Sequence, residues 1–169
     1  MKSVVMVIAP TLFRDEEYAE PKAVLEAAGA AVTTASVSPG TATGRFGMLA
    51  HPSISVADAA QTSWDCVVFV GGGGASVYFD DPDAHALARL VHENGGVVGA
   101  ICIAPSTLAR ADLLAGVRAT AFPSQQEDLT TRGAIWTGDP VTVDGRIITG
   151  NGPEAATAFG EAIAVALGL

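Results

Sequence analysis

Three short stretches of the chain carry residue types able to do covalent chemistry. In Gly99-Ala100-Ile101-Cys102-Ile103-Ala104-Pro105 a cysteine ends an apolar run, and a proline follows three residues later. A nucleophile held on a sharp strand-to-helix turn needs small residues two positions to either side, and Ala100 and Ala104 occupy those places. Pro105 suits a first helical turn, where its missing N–H costs nothing. Cys102 is therefore expected at a helix N-terminus, where the dipole and free backbone N–H groups favour a thiolate able to attack an electrophilic carbon.

The second stretch is Gly71-Gly72-Gly73-Gly74, directly after the apolar run that ends at Val70. Glycines there permit close backbone approach and let N–H groups point at a developing oxyanion. Their spacing does not fit a dinucleotide-binding GxGxxG, and no phosphate-binding lysine follows. The third is Phe13-Arg14-Asp15-Glu16-Glu17-Tyr18, just past the first apolar run. Acids in that place commonly cap a helix. Alternatively one of them reaches Cys102: protonated, it would donate a hydrogen bond to the sulfur; ionised, it would raise the thiol pKa.

Other candidates read as structural. Cys66 lies mid-strand and is expected in the core. His85 and His92 are seven residues apart, two turns of one helix, so they share a face without forming a metal pair. His51, like them, reads as solvated or structural, and no metal site is expected. Trp64 and Trp136 read as packing residues.

The elements that must position these groups alternate between β-branched runs and Ala/Leu-rich helical patterns. Val4–Ile8, Val32–Val37, Asp65–Val70 and Val97–Ile101 read as strands, three of them continuous apolar runs of the kind buried on both faces of a parallel sheet. Pro21–Ala28, closed by Gly29, and Asp83–Glu93, started after Asp81-Pro82, read as helices. A further helix is expected from Cys102 to about Ala111, and a last one from Glu154 to Leu167. Ser38–Pro52 reads as an excursion or hairpin, Arg118–Phe122 as a short strand, and Val141–Asp144 with Arg146–Thr149 as a strand pair about Gly145. The alternation implies an α/β doubly wound sheet with helices on both faces. In such sheets chemistry sits at the carboxyl ends of the strands, where all three stretches fall.

Composition narrows the function. The 169 residues suit one domain over 1–169, at roughly 150 residues per domain. With 49% hydrophobic and 16% charged residues, the chain is not of the disordered class. Nine basic against eighteen acidic side chains leave a net charge of −9, so neither nucleic acid nor an anionic membrane surface is an expected partner. So few charges suggest a surface covered by another subunit. Two cysteines without CxxC spacing make no disulfide framework or zinc site. The run Val4–Ala9, broken by Pro10, is too short for a signal-peptide core, and no stretch approaches the ~20 apolar residues of a membrane span. A reduced, cytoplasmic compartment is expected.

Together these motifs resemble the ThiJ/PfpI superfamily, which includes the Parkinsonism-associated deglycase and the intracellular proteases, and more distantly the class I glutamine amidotransferase domains. The resemblance covers nearly the whole chain. It rests on Phe13-x-Asp15-x-Glu17 with Pro21 four residues on, on Asp65 to Gly72, on Ala100-Ile101-Cys102-x-Ala104-Pro105, and on Ile148-Thr149-x-x-Gly152-Pro153. It implies a flavodoxin-like three-layer sandwich, no cofactor and a homodimer. It makes Cys102 the nucleophile, Glu17 the carboxyl that contacts its sulfur, and the Gly72 and Ile103 N–H groups an oxyanion pocket. Asp15, Gly71, Phe122 and Asn151 are the expected pocket residues.

Three positions depart from the family pattern. Ile103 stands where protease-like members carry a histidine, Phe122 where deglycase-like members carry theirs, and Asn151 where an arginine is usual. Protease activity is therefore not expected. The expected function is cysteine-dependent chemistry on small reactive carbonyl compounds, glyoxalase- or deglycase-like, in stress protection. The alternatives are a redox-responsive stress protein with an oxidisable Cys102 and an amidase or hydratase of another small molecule. Ile103 and Phe122 lead us to expect a dry pocket that keeps Glu17 neutral.

Overall fold

The computed structural model describes residues 1–169. The chain opens with β1 (Ser3–Val7), the short β2 (Thr11–Phe13), α1 (Asp15–Ala27) and β3 (Ala31–Ser36). An excursion of β4 (Ala42–Gly44) and β5 (Leu49–Ala50) leads to β6 (Ile54–Ser55) and α2 (Val56–Ala59). Then come β7 (Cys66–Phe69), a 3-10 turn over Gly73–Tyr78, α3 (Pro82–Glu93), β8 (Val97–Ile101) and α4 (Pro105–Arg110). The last third holds β9 (Arg118–Ala119), α5 (Gln126–Thr131), β10 (Ile135–Trp136), β11 (Val141–Asp144), β12 (Ile147–Gly150) and α6 (Ala156–Ala166).

Seven strands form the central sheet in the order β11-β12-β8-β7-β1-β3-β6, parallel except for the antiparallel β11–β12 edge pair. The strands β1, β7 and β8 are buried on both faces, as their unbroken apolar runs require. Successive side chains point to opposite faces. Val5, Val7, Val67, Phe69 and Val98 thus join one core, with residues of α3 and α4, while Val4, Met6, Val68 and Ile101 join the other, with residues of α1 and α6. The architecture is the three-layer α/β sandwich.

Where the expected elements shift, the reasons are physical. The first helix starts at Asp15, not Pro21, which lies buried in its second turn. Acidic Asp15, Glu16 and Glu17 suit a helix N-terminus. Gly160 of α6 gives Pro21 room: a Cβ there would meet the Pro21 Cα at 2.8 Å. The excursion is an antiparallel β4–β5 hairpin, and β2 pairs with β4 to make a separate three-stranded sheet. The strand expected over Arg118–Phe122 is only β9, paired in parallel with β10. Phe122 lies beyond it.

Candidate functional site

Strands β1, β7 and β8 are neighbours, so their carboxyl ends bring the three stretches together. Cys102 follows β8 directly, with φ at +63°. That left-handed conformation is uncommon for a residue with a Cβ and marks a strained, over-determined turn. Two backbone hydrogen bonds hold it: Cys102 N–H donates to Gly150 O at 3.0 Å, and Phe122 N–H donates to Cys102 O at 2.8 Å. The side chain is half-buried, whereas Cys66 is fully buried in the core, where burial drives its thiol pKa far up.

Glu17, in the first turns of α1, is wholly inaccessible to solvent. Neither of its carboxyl oxygens has a hydrogen-bond partner of full geometry. The Cys102 thiol and the Gly71 N–H lie close enough to act on it, and both favour its ionised form. Burial outweighs them and pushes the carboxyl up to about 7. The glycine run makes the approach possible. A Cβ at Gly71 would collide with Glu17 Oε1, stand 2.5 Å from the Cys102 Cβ and 2.7 Å from Ile101 O. At Gly72, with φ +97°, a Cβ would run into the Arg14 backbone nitrogen; at Gly74 it would overlap Thr11 O. These glycines let β2 lie directly on the loop after β7.

Of the two opposing influences expected at the sulfur, the one that raises the thiol pKa prevails. Cys102 is pushed up to about 12, by burial first and by the facing Glu17 charge second. The N–H groups of Gly72 and Ile103 do favour the thiolate, as their expected place beside the sulfur requires, but burial and the carboxylate prevail.

The other expected pocket residues divide. The Asp15 carboxylate accepts from the N–H groups of Phe46 (3.2 Å) and Met48 (3.1 Å), pinning the β4–β5 turn; it serves the hairpin. Glu16 pairs with Arg14 at 2.6 Å. Phe122 and Asn151 line a cleft of about 290 Å³ with Pro123, Gly152, Pro153 and Glu154. Phe122 is 44% exposed, so it walls an open cleft instead of sealing a dry one; the neutral tendency of Glu17 comes from its own burial. His85 Nε2 bonds Phe79 O at 2.7 Å, and Trp64 Nε1 donates to Ala59 O at 3.0 Å, both structural roles.

Arg14 is the neighbour that spacing alone did not single out. Its N–H donates to Gly71 O at 2.9 Å, and its guanidinium sits 4.9 Å from the Phe46 ring centroid. Its charge also favours ionised Glu17, against the Glu16 carboxylate. Its place at the entry to α1, three residues before Glu17, is the available signal.

With this geometry in place, likeness to known proteins is informative. The sequence matches the DJ-1/PfpI family over residues 2–166. The chain belongs to that family. An uncharacterised protein of Methanocaldococcus jannaschii is 38% identical over 160 residues, covering 93% of this chain and 78% of its own. A protein named a deglycase from Pyrococcus abyssi is 27% identical over 149 residues, 88% of this chain and 90% of its own. A crystal structure of a ThiJ/PfpI domain protein from Brachyspira murdochii superposes with a TM-score of 0.93 at 30% identity, covering 98% of this chain and 96% of that one. The DJ-1/PfpI fold is thus the sandwich described above. No helix of this member is long and apolar enough to cross a membrane.

Proposed function

We propose that this DJ-1/PfpI protein is a cofactor-independent enzyme acting on small reactive carbonyl compounds, with Cys102 as nucleophile and Glu17 as its proton carrier. The observation that carries the reading is Glu17: a fully buried carboxyl without a hydrogen-bond partner of full geometry, set against a cysteine on a strained turn. An unsatisfied buried carboxyl costs stability, and its retention is accounted for by proton transfer. The deglycase name of the Pyrococcus relative supports the substrate class.

For methylglyoxal, the Cys102 sulfur adds to the aldehyde carbon as its proton passes to Glu17. The new oxyanion is held by the Gly72 and Ile103 N–H groups and takes up that proton, giving a hemithioacetal. Glu17 then takes the proton from the former aldehyde carbon as the ketone oxygen is protonated, giving an enediol, and returns it to the neighbouring carbon as the first hydroxyl loses its proton, leaving a lactoyl thioester. Water hydrolyses it to lactate and restores the thiol. No histidine is needed: a carboxyl at about 7 is matched to this work near neutral pH. The raised thiol means that thiolate forms by proton transfer inside the pair during attack.

The deciding experiment is methylglyoxal consumption with chiral analysis of lactate, for wild type and Cys102→Ser. Lactate from the wild type alone supports the reading, and turnover unchanged by the substitution removes it.

A second copy as partner, in a reducing cytoplasm, belongs to the same proposal. The exposed apolar side chains Leu12 and Leu49 on the β2-β4-β5 sheet, with Phe46 in its β4–β5 turn, support pairing. Light scattering of wild type and Leu49→Glu tests it; a wild-type monomer would refute it.

A further inference from the structure

The cleft beside Cys102 has a charge character of its own. Its walls begin at the backbone groups that bracket the cysteine, Phe122 on one side and the Gly150–Asn151 turn on the other. From there it opens between Phe122 with Pro123 and the segment Asn151 to Glu154. A Cβ added at Gly152 would stand 3.8 Å from the Phe122 ring, so the missing side chain leaves the gap between the two walls open.

Glu154 is the single ionisable residue among those lining the cleft. It is exposed and takes part in none of the ion pairs of the chain. Opposite stands the half-exposed ring of Phe122. Arg14, whose charge is felt at Cys102, is engaged by Glu16 and by the Phe46 ring. An unpaired carboxylate facing an aromatic surface, with no free cation beside it, attracts positive groups and repels anions.

We propose that this cleft selects cationic substrates, with Glu154 as the specificity-determining residue and Phe122 packing against the cation. The class is a small carbonyl compound carrying an ammonium or quaternary ammonium group, in preference to one carrying a carboxylate. The carbonyl part rests on the function proposed above; the charge selection does not.

The test uses the sulfur as reporter. Cys102 is treated with three methanethiosulfonates: 2-(trimethylammonio)ethyl, 2-sulfonatoethyl and the neutral methyl reagent. In each the thiolate attacks the sulfenyl sulfur, a mixed disulfide forms and methanesulfinate leaves. Mass spectrometry places the addition at Cys102. Each rate is divided by that of the methyl reagent on the same protein, which removes differences in thiol reactivity. The cationic reagent should outpace the anionic one in the wild type, and Glu154→Gln should shrink that ratio about 25-fold, because losing one unit charge at short range in a wet site slows the cationic reagent and speeds the anionic one by about fivefold each. Glu93→Gln, which removes a charge from the far end of α3, should leave the ratio unchanged. A wild type without cation preference overturns the proposal, as does a ratio that Glu154→Gln leaves unaltered or that both substitutions lower equally. Absent methylglyoxal turnover would instead remove the carbonyl reading and leave the charge selection standing.

Discussion

Glu17 and Cys102 face each other across Gly71, whose missing side chain leaves the space that both occupy. The two groups are coupled: burial raises both pKa values, the Glu17 charge disfavours the thiolate, and the Cys102 thiol favours ionised Glu17. With one proton removed, the pair has two forms, carboxylate with thiol or carboxylic acid with thiolate. Burial of Glu17 narrows the gap between them, because it destabilises the carboxylate.

Thiol reactivity and turnover should therefore separate in Glu17→Gln. Removing the carboxylate removes a charge that raises the Cys102 pKa. Each pKa unit lost multiplies thiolate tenfold, and lower nucleophilicity returns about half the logarithm, for roughly threefold net. Iodoacetamide should thus alkylate Cys102 faster in the variant at pH 8.5, while methylglyoxal turnover falls by about 10²-fold or more with the proton carrier gone. Slower alkylation would show that Glu17 does not hold the thiol up.

Stability should fall across neutral pH because of the same carboxyl. Its folded pKa, about 7, lies above the ordinary 4.5. The folded state binds the proton more tightly, so this contribution is complete below about pH 4.5 and is lost as pH rises through 7. The full swing is at most about 3 kcal/mol. Glu17→Gln lacks this titration, so urea midpoints of wild type minus variant should decline from pH 5 to pH 8. A difference that stays constant would place the Glu17 pKa near its ordinary value.

Gly71→Ala should damage the fold and the site together. The new methyl group would meet Cys102 Cβ and Ile101 O at 2.5 and 2.7 Å, besides a Glu17 oxygen. Overpacking of this kind costs about 1–3 kcal/mol, and relief can come only by parting the pair. Chemical denaturation should show that loss, and methylglyoxal turnover should fall further than stability accounts for. Gly73→Ala, where an added Cβ meets nothing within 4 Å, is the control expected to be near wild type in both.

Much of this arrangement is legible in the sequence because it is local. The continuous apolar runs of β1, β7 and β8 encode a sheet buried on both faces, and Ala100, Ala104 and Pro105 encode the turn at Cys102. The remainder depends on tertiary contacts. The three-residue β2 has Leu12 at φ +59° and owes its place to glycines sixty residues away. Pro21 reads as a helix start because the space that Gly160 leaves for it lies on another helix. Asp15, Glu16 and Glu17 are chemically alike in sequence, and only packing turns one to a hairpin, one to Arg14 and one into the core. The balance at the thiol is hidden in sequence for the same reason: helix position is local, but desolvation is not.

Oxidation should be confined to Cys102, and its pH dependence should report the raised thiol. Cys66 is fully buried with its pKa driven up, while Cys102 is half-buried and flanked by the N–H groups of Gly72 and Ile103, a pair able to hold a sulfinate. Mild peroxide followed by peptide mass spectrometry should find sulfenic and then sulfinic acid at Cys102 alone. Because thiolate is the reacting form and the thiol lies at about 12, the rate should climb close to tenfold per pH unit from 7 to 9. A plateau by pH 8 would mean a thiolate already formed near neutrality, and would favour a redox sensor over the carbonyl enzyme. Equal oxidation of both cysteines would count against a sensor.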